Sequence, residues 1–322
     1  MRPVRLQYFY CDAVPRGPVP FTPSNNVCAG RAKYACTSVE SELFMKKSKT
    51  GFAVCLGIAV LSALYMLFFV DPATGFVAMG PLWAAYLPAA LGLAAVLVTS
   101  RGVASCPAAF EGKKTALSTA MLPTAALLAA AGGASIPAAL DYLSDPLMTV
   151  QGILTMTQAV LLFTTALWFL VRGLHALGRE EPALPGAWPA VLGWLGLVAV
   201  LVMRFVLAPA ALARVGVVIG VLSAAAAVLF FAAVAKIFCL PGSPCGRNAF
   251  TGGMLSFLYG TCGEAPRALR AALAGSGSLL QTLLGLTYGL MGVCGLICAF
   301  YAAGEAANPE KKPKAPGQGA RA

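Results

Sequence analysis

The sequence predicts an all-α fold, a polytopic integral membrane helix bundle with about seven transmembrane helices and a cytoplasmic N-terminus. Three observations carry that expectation. Of the 322 residues, 59% are hydrophobic and 11% charged, whereas about a quarter of a soluble domain is charged; mean hydropathy is +0.78. The apolar residues are gathered into runs of about twenty, each able to cross the roughly 30 Å of bilayer hydrocarbon at 1.5 Å per residue. Finally, the basic residues stand at the ends of those runs and in the tails, the pattern of topology signals and anionic-lipid contacts.

The first run, 51–70, contains no charge and follows Lys46, Lys47 and Lys49, which should hold that end in the cytoplasm. It exceeds a signal-peptide core and no small-x-small site follows, so a retained helix is expected. Asp71-Pro72 stops it. The second span, 81–100, has Trp83 and Tyr86 at its outer mouth as interfacial anchors and leads to Arg101, Lys113 and Lys114. The third, 116–139, carries Pro123, Gly132-Gly133 and Pro137 and needs neighbouring helices to satisfy its freed backbone groups. An outer loop with Asp141 and Asp145 precedes the fourth span, 149–171, closed by Trp168 and Arg172. Residues 172–187, with His175, Arg179, Glu180 and Glu181, read as a polar inner loop. The fifth span is 188–207, with Arg204 expected to snorkel to the outer headgroups. The sixth, 215–238, is capped by Lys236, and the seventh is 279–302.

Between the last two lies 239–278, read as the longest inner loop. Its apolar core, Ala249 to Tyr259, is too short for a full crossing. Gly252-Gly253 and the residues to Tyr259 suggest a re-entrant dip. Pro266 to Leu273 reads as a short amphipathic helix on the inner leaflet, with proline in its first turn and Gly275 after its end. Seven spans leave the basic tail, with Lys311, Lys312 and Lys314, on the outer side, in conflict with the positive-inside rule; either the tail is a tolerated exception or 239–278 crosses an eighth time, and the short apolar core favours seven. Three parts follow. Residues 1–44, with Pro15, Pro18, Pro20 and Pro23, read as a disordered tail or as an extension ahead of a start at Met45. Residues 45–304 form one transmembrane domain, and 305–322 a disordered basic tail.

None of the seven cores contains Asp, Glu or Lys, which weighs against a proton- or sodium-coupled carrier. In the fourth span Gln151, Thr155, Gln158 and Thr165 share one helical face. That face fits interhelical hydrogen bonding first and a solute path second. Gly285, Gly289 and Gly292 in the seventh span, and Gly216 and Gly220 in the sixth, are rows that let helices approach closely.

Of the ten cysteines, Cys55, Cys294 and Cys298 fall inside spans as small apolar residues. Cys239, Cys245 and Cys262 lack zinc-ligand spacing. His175 is the single histidine, and no phosphate loop, Ser-His-Asp set or His-Glu-x-x-His motif occurs. No catalytic residue, cofactor or metal is therefore assigned. Net charge is +11, but it is spread along the chain ends of the spans, so nucleic-acid binding is not expected.

One internal echo stands out: Leu91 to Val98 is identical to Leu195 to Val202 at seven of eight positions, and would pair spans 1–3 with 4–6 as an inverted repeat. Such matches arise easily by chance among Leu, Ala, Val and Gly. The expected function is a non-catalytic membrane component, whether scaffold, assembly factor or complex subunit. It would contact the lipid bilayer and, through 239–278, a membrane-protein partner. The alternative is a transporter or permease for a neutral or weakly polar solute; a membrane-embedded enzyme ranks last. A multi-pass place in the cell membrane is expected, with the terse loops of a bacterial plasma-membrane protein.

Overall fold

The computed structural model describes residues 38–71, 74–103, 115–177, 187–207, 213–239, 245–275 and 278–305. Seven helices are long and apolar enough to cross a membrane. They belong to α1 (Ser38–Phe68), α2 (Leu82–Ser100), α3 (Thr115–Ser144), α4 (Thr149–Leu177), α5 (Ala187–Leu207), α6 (Val215–Cys239) and α9 (Leu279–Glu305). The chain is a multi-pass helical membrane protein. The proposed tails fall mostly on residues 1–37 and 306–322, outside the described residues. The exception is 38–44, expected to lack structure but helical as the start of α1. Glu40, Glu42 and Leu43 are good helix formers, and a helix can extend past the membrane face into water.

The largest correction concerns 239–278. Here α7 (Gly246–Ser256), a π-helical segment (Phe257–Glu264) and α8 (Ala265–Leu273) form one unbroken helical rod, roughly 40 Å long at the α-helical rise. The rod is neither an inner loop nor a re-entrant dip, and α8 does not lie on the inner leaflet. Gly252 lies against the Phe230 backbone, Gly263 against Ile219, and Gly216 against Arg267. As the rod's numbers rise those of α6 fall, so the two run antiparallel along the length of α6. The same holds for α9, where Gly253 meets Gly295, Gly260 meets Tyr288, and Ala268 meets Gly285. The rod thus makes an eighth traverse of the bundle.

That traverse resolves the conflict over the tail. The start of α1 and the end of α9 share one face, where the Phe52 and Phe300 rings are 6.4 Å apart. Taking the lysine-rich start of α1 as inner, α9 ends at the inner face. The outer face holds the end of α1, the start of α6 and the end of α8. Gly275, at φ +62°, ends α8 there; only glycine occupies that conformation without strain, and the expected proline and glycine bracket the helix as read.

Rod, α6 and α9 form the centre. On one flank α3, α4 and α5 pack around Trp168, Phe169 and Phe231, with Trp168 and Phe231 rings 4.6 Å apart. Despite two prolines, α3 is continuous, because α4 is pressed against it. The Ser118 hydroxyl donates to the Gly173 carbonyl at 2.6 Å, and Gly132 sits over the Ala159 carbonyl. On the other flank the α1–α2 hairpin docks on the rod: Leu258 fills the space over Gly92, and the Tyr259 hydroxyl donates to the Ala89 carbonyl at 3.2 Å. The echo would make α2–α3 equivalent to α5–α6. Yet α5 packs along α6, whereas α2 packs on α1 and the rod, so the pairing lacks that support.

Candidate site: a charge cluster at the outer end of the rod

An ionisable side chain inside a bundle costs several kcal/mol to desolvate and is a functional candidate by default. Within the described residues such a cluster lies where the rod, α5, α6 and α9 meet. Glu264 ends the π-helical segment and is only 2% exposed. Arg204, from the last turn of α5, forks onto it, with Nη2 to Oε1 at 2.6 Å and Nη1 to Oε2 at 2.8 Å. Its Nη1 also donates to the Gly220 carbonyl at 2.7 Å. The guanidinium lies 4.6 Å over the Tyr288 ring, a cation–π contact strengthened by desolvation. Arg204 therefore turns inward and does not snorkel outward as expected. A planar fork matched to a buried carboxylate outweighs a headgroup contact.

Each neighbour is placed by a sequence feature. Gly220 carries no side chain where Arg204 needs room, since a Cβ there would stand 3.2 Å from Nη1; Gly285 lets the rod come close, since a Cβ there would stand 2.6 Å from Ala268 Cβ. The π-helical segment holds a wider turn at its end, a deviation that recurs at functional sites. It is pinned by the Thr261 hydroxyl, which donates to the Gly289 carbonyl at 2.6 Å.

Two further arginines of the rod stand at the same end. Arg270 donates through Nη1 to the Leu67 and Val70 carbonyls at the end of α1. Arg267, one helical turn beyond Glu264, lies beside Gly216, and its Nε is buried without a hydrogen-bond partner. Near it lie residues 74–80, which follow α1. There the Gly75 carbonyl accepts the Gly216 N–H at 3.1 Å, and Arg214 stacks over Phe76 at 5.6 Å. Gly75 holds φ +74°, a conformation that favours glycine, and a Cβ on Gly216 would stand 3.1 Å from the Gly75 Cα.

The residues singled out in the sequence lie elsewhere or serve this packing. On α4, Thr155 and Gln158 are buried, while Gln151 is half-buried. The Thr155 hydroxyl donates to the Gln151 carbonyl at 2.8 Å. Thr165 donates to the Leu161 carbonyl and, at 3.0 Å, to Gly193 on α5. Gly285, Gly289 and Gly292 face Ala268, Ala265 and Thr261 of the rod, so that row is covered within the chain. Cys245 opens the rod and Cys262 lies in its π-helical segment, roughly 25 Å apart along the axis, so the loop cysteines do not converge. Cys55, Cys294 and Cys298 are buried and unpaired.

A second cation is buried at the inner end of α4. Arg172 lies 4.6 Å over the Phe238 ring and 5.9 Å over Trp168, with Nε and Nη2 unpartnered. An apolar hollow of about 320 Å³ lies between α3, α9 and the rod, lined by Leu127, Ala265, Gly289 and Leu290 among others; none of the charged groups lines it.

Sequence reading missed the Glu264 cluster because 257–273 was placed outside the bundle. The available signal was Glu264, Arg267 and Arg270 at successive turns of one helix, directly after a glycine-rich apolar run. No family model, curated protein or solved structure matches this chain.

Proposed function

We propose that the protein is a non-catalytic membrane component, a platform on which a membrane complex is built. The observation that carries this reading is that polar side chains at four helix contacts bond one helix to another. Thr165 bonds α4 to α5, Ser118 bonds α3 to α4, Thr261 bonds the rod to α9, and Arg204 ties α5 to α6 and the rod. A polar face that served a solute path would instead present its groups to water. The α1–α2 hairpin leaves Leu61, Phe68, Trp83 and Val98 turned outward, a broad apolar face for lipid or a partner helix.

Extraction from native membranes straight into polymer-bounded lipid discs, followed by mass measurement, tests the proposal. The expected species is heavier than one 33.0 kDa chain and holds a second polypeptide at fixed stoichiometry. Discs that hold this chain alone overturn it.

A second reading, solute passage, draws on the Arg204–Glu264 salt bridge inside the bundle at a π-helical turn. Buried charge marks ion and solute paths in many membrane proteins. Flux of a labelled solute into proteoliposomes, lost in Glu264→Gln, is the result that would favour it.

A further inference from the structure

We propose that the outer end of the rod is a binding site for an anionic oxygen group, a carboxylate or a phosphate, received by Arg267 beside the start of α6. The inference stands apart from the platform reading, since a scaffold or a carrier could equally use such a site.

The first support is charge. Arg204, Arg214, Arg267 and Arg270 gather at the outer end, where the positive-inside rule disfavours arginine. The acidic residues on the elements that carry them or directly follow α1 are Glu264 on the rod and Asp71, which is bonded to Thr74, Gly75 and Phe76. Four cations thus meet two anions, and Glu264 is already engaged by both nitrogens of Arg204. The excess sits partly out of water, where unbalanced charge is costly.

The second support is the free donor. Arg267 Nε is buried without a partner, although a guanidinium in such a place is ordinarily hydrogen-bonded. Its fork matches a planar carboxylate or a phosphate edge in a way that a lysine could not. The start of α6 lies beside it, with Gly216 against Arg267 Cδ, and the helix dipole adds positive potential there. Beside it residues 74–80 rest on α6 through Gly75 and on Arg214 through Phe76.

The free group in solution and a lipid headgroup share this chemistry, and the experiment separates them. The full chain is placed in discs of phosphatidylcholine, and in discs containing phosphatidylglycerol. Inorganic phosphate is titrated against sodium chloride at constant ionic strength, and phenylglyoxal modification of each arginine is followed by mass spectrometry. In neutral discs phosphate should slow modification of Arg267 several-fold and leave exposed Arg101 unchanged. Protection already present in phosphatidylglycerol discs assigns the site to a lipid headgroup; protection needing added phosphate assigns it to a soluble anion. In a parallel melt, phosphate should raise the thermal midpoint of wild type but not of Arg267→Gln. Modification of Arg267 that neither phosphate nor the anionic lipid slows overturns the proposal, and this arm needs no variant to fold. An equal midpoint rise in Arg267→Gln overturns it as well.

Discussion

Glu264→Gln removes the carboxylate charge while keeping the side chain's size, and leaves Arg204 as an uncompensated cation among α5, α6 and α9. Breaking one partner of a buried ion pair costs about 3–5 kcal/mol. Glu264 is 2% exposed but Arg204 17%, so some water reaches the cation and the lower end, about 3 kcal/mol, is the working figure. For a domain of this size that corresponds to a fall in thermal midpoint of roughly 6–12 °C. Loss of the pair alone cannot explain such a value, since exposed pairs contribute only about 0–1 kcal/mol; the cost comes from stranding the partner. Arg204→Met with Glu264→Leu should therefore recover most of the loss, because replacing both charges by apolar groups leaves nothing unpaired. The assay is intrinsic-fluorescence melting of wild type, the single variant and the double variant in identical lipid discs. A midpoint for Glu264→Gln within 2 °C of wild type, or a double variant as unstable as the single, would refute the reasoning.

Three further outcomes follow from the same geometry. An epitope inserted at Gly275 should be reached from the outer side and a reporter after Ala322 from the inner side; an inner epitope at Gly275 would contradict the eighth traverse. Gly253→Ala puts a methyl on the Gly295 carbonyl and Gly252→Ala one within 2.9 Å of the Phe230 backbone. Each should destabilise by about 1–3 kcal/mol, whereas Gly133→Ala, with nothing within 4 Å, should be neutral or gain up to about 1 kcal/mol; equal melts for all three would remove the close-packing argument. Thr261→Val deletes the bond to the Gly289 carbonyl and should cost about 0.6 kcal/mol, the scale of interhelical hydrogen bonds in lipid, detectable as a small downward shift in the same melt.

Hydropathy made the seven long helices legible because each shows much of its surface to lipid, and lipid tolerates only apolar side chains there. Leu61, Val98, Leu167 and Phe205, all outward, are the residues that produce the signal. Charge at the span ends gave the threading of the first six. The rod escaped the same reading because helices surround most of it. Gly252, Gly253, Gly260 and Gly263 lower its hydropathy yet are required for approach to α6 and α9, and Glu264 and Arg267 lower it further while meeting the bundle rather than lipid. Placing Pro266 to Leu273, and with it Arg267 and Arg270, on the inner leaflet followed from that misplacement and hid the outer arginine cluster. Arg204 shows the same limit from the other side: its position near a span end suggested the headgroups, and only a carboxylate sixty residues away turns it inward.

A polar helix at the centre changes how the flanks are joined. The α1–α2 hairpin reaches the rest of the bundle chiefly through the rod, by Leu258 over Gly92, Tyr259 on Ala89 and Arg270 on the carbonyls ending α1. On the opposite side α5 reaches it through Arg204. Both flanks are thus fastened to one helix by directional polar contacts, while the area between is closed by small residues. In lipid, apolar side chains give little net drive for one helix to prefer another over acyl chains, so packing fit and hydrogen bonds decide which helices associate. The glycine rows supply the fit, and the arginines supply contacts that hold only at one register. A shift of the rod by a single turn would move Glu264 about 5 Å from Arg204 and strand both charges, which is why the polarity that obscured the rod in the sequence also fixes its place in the fold.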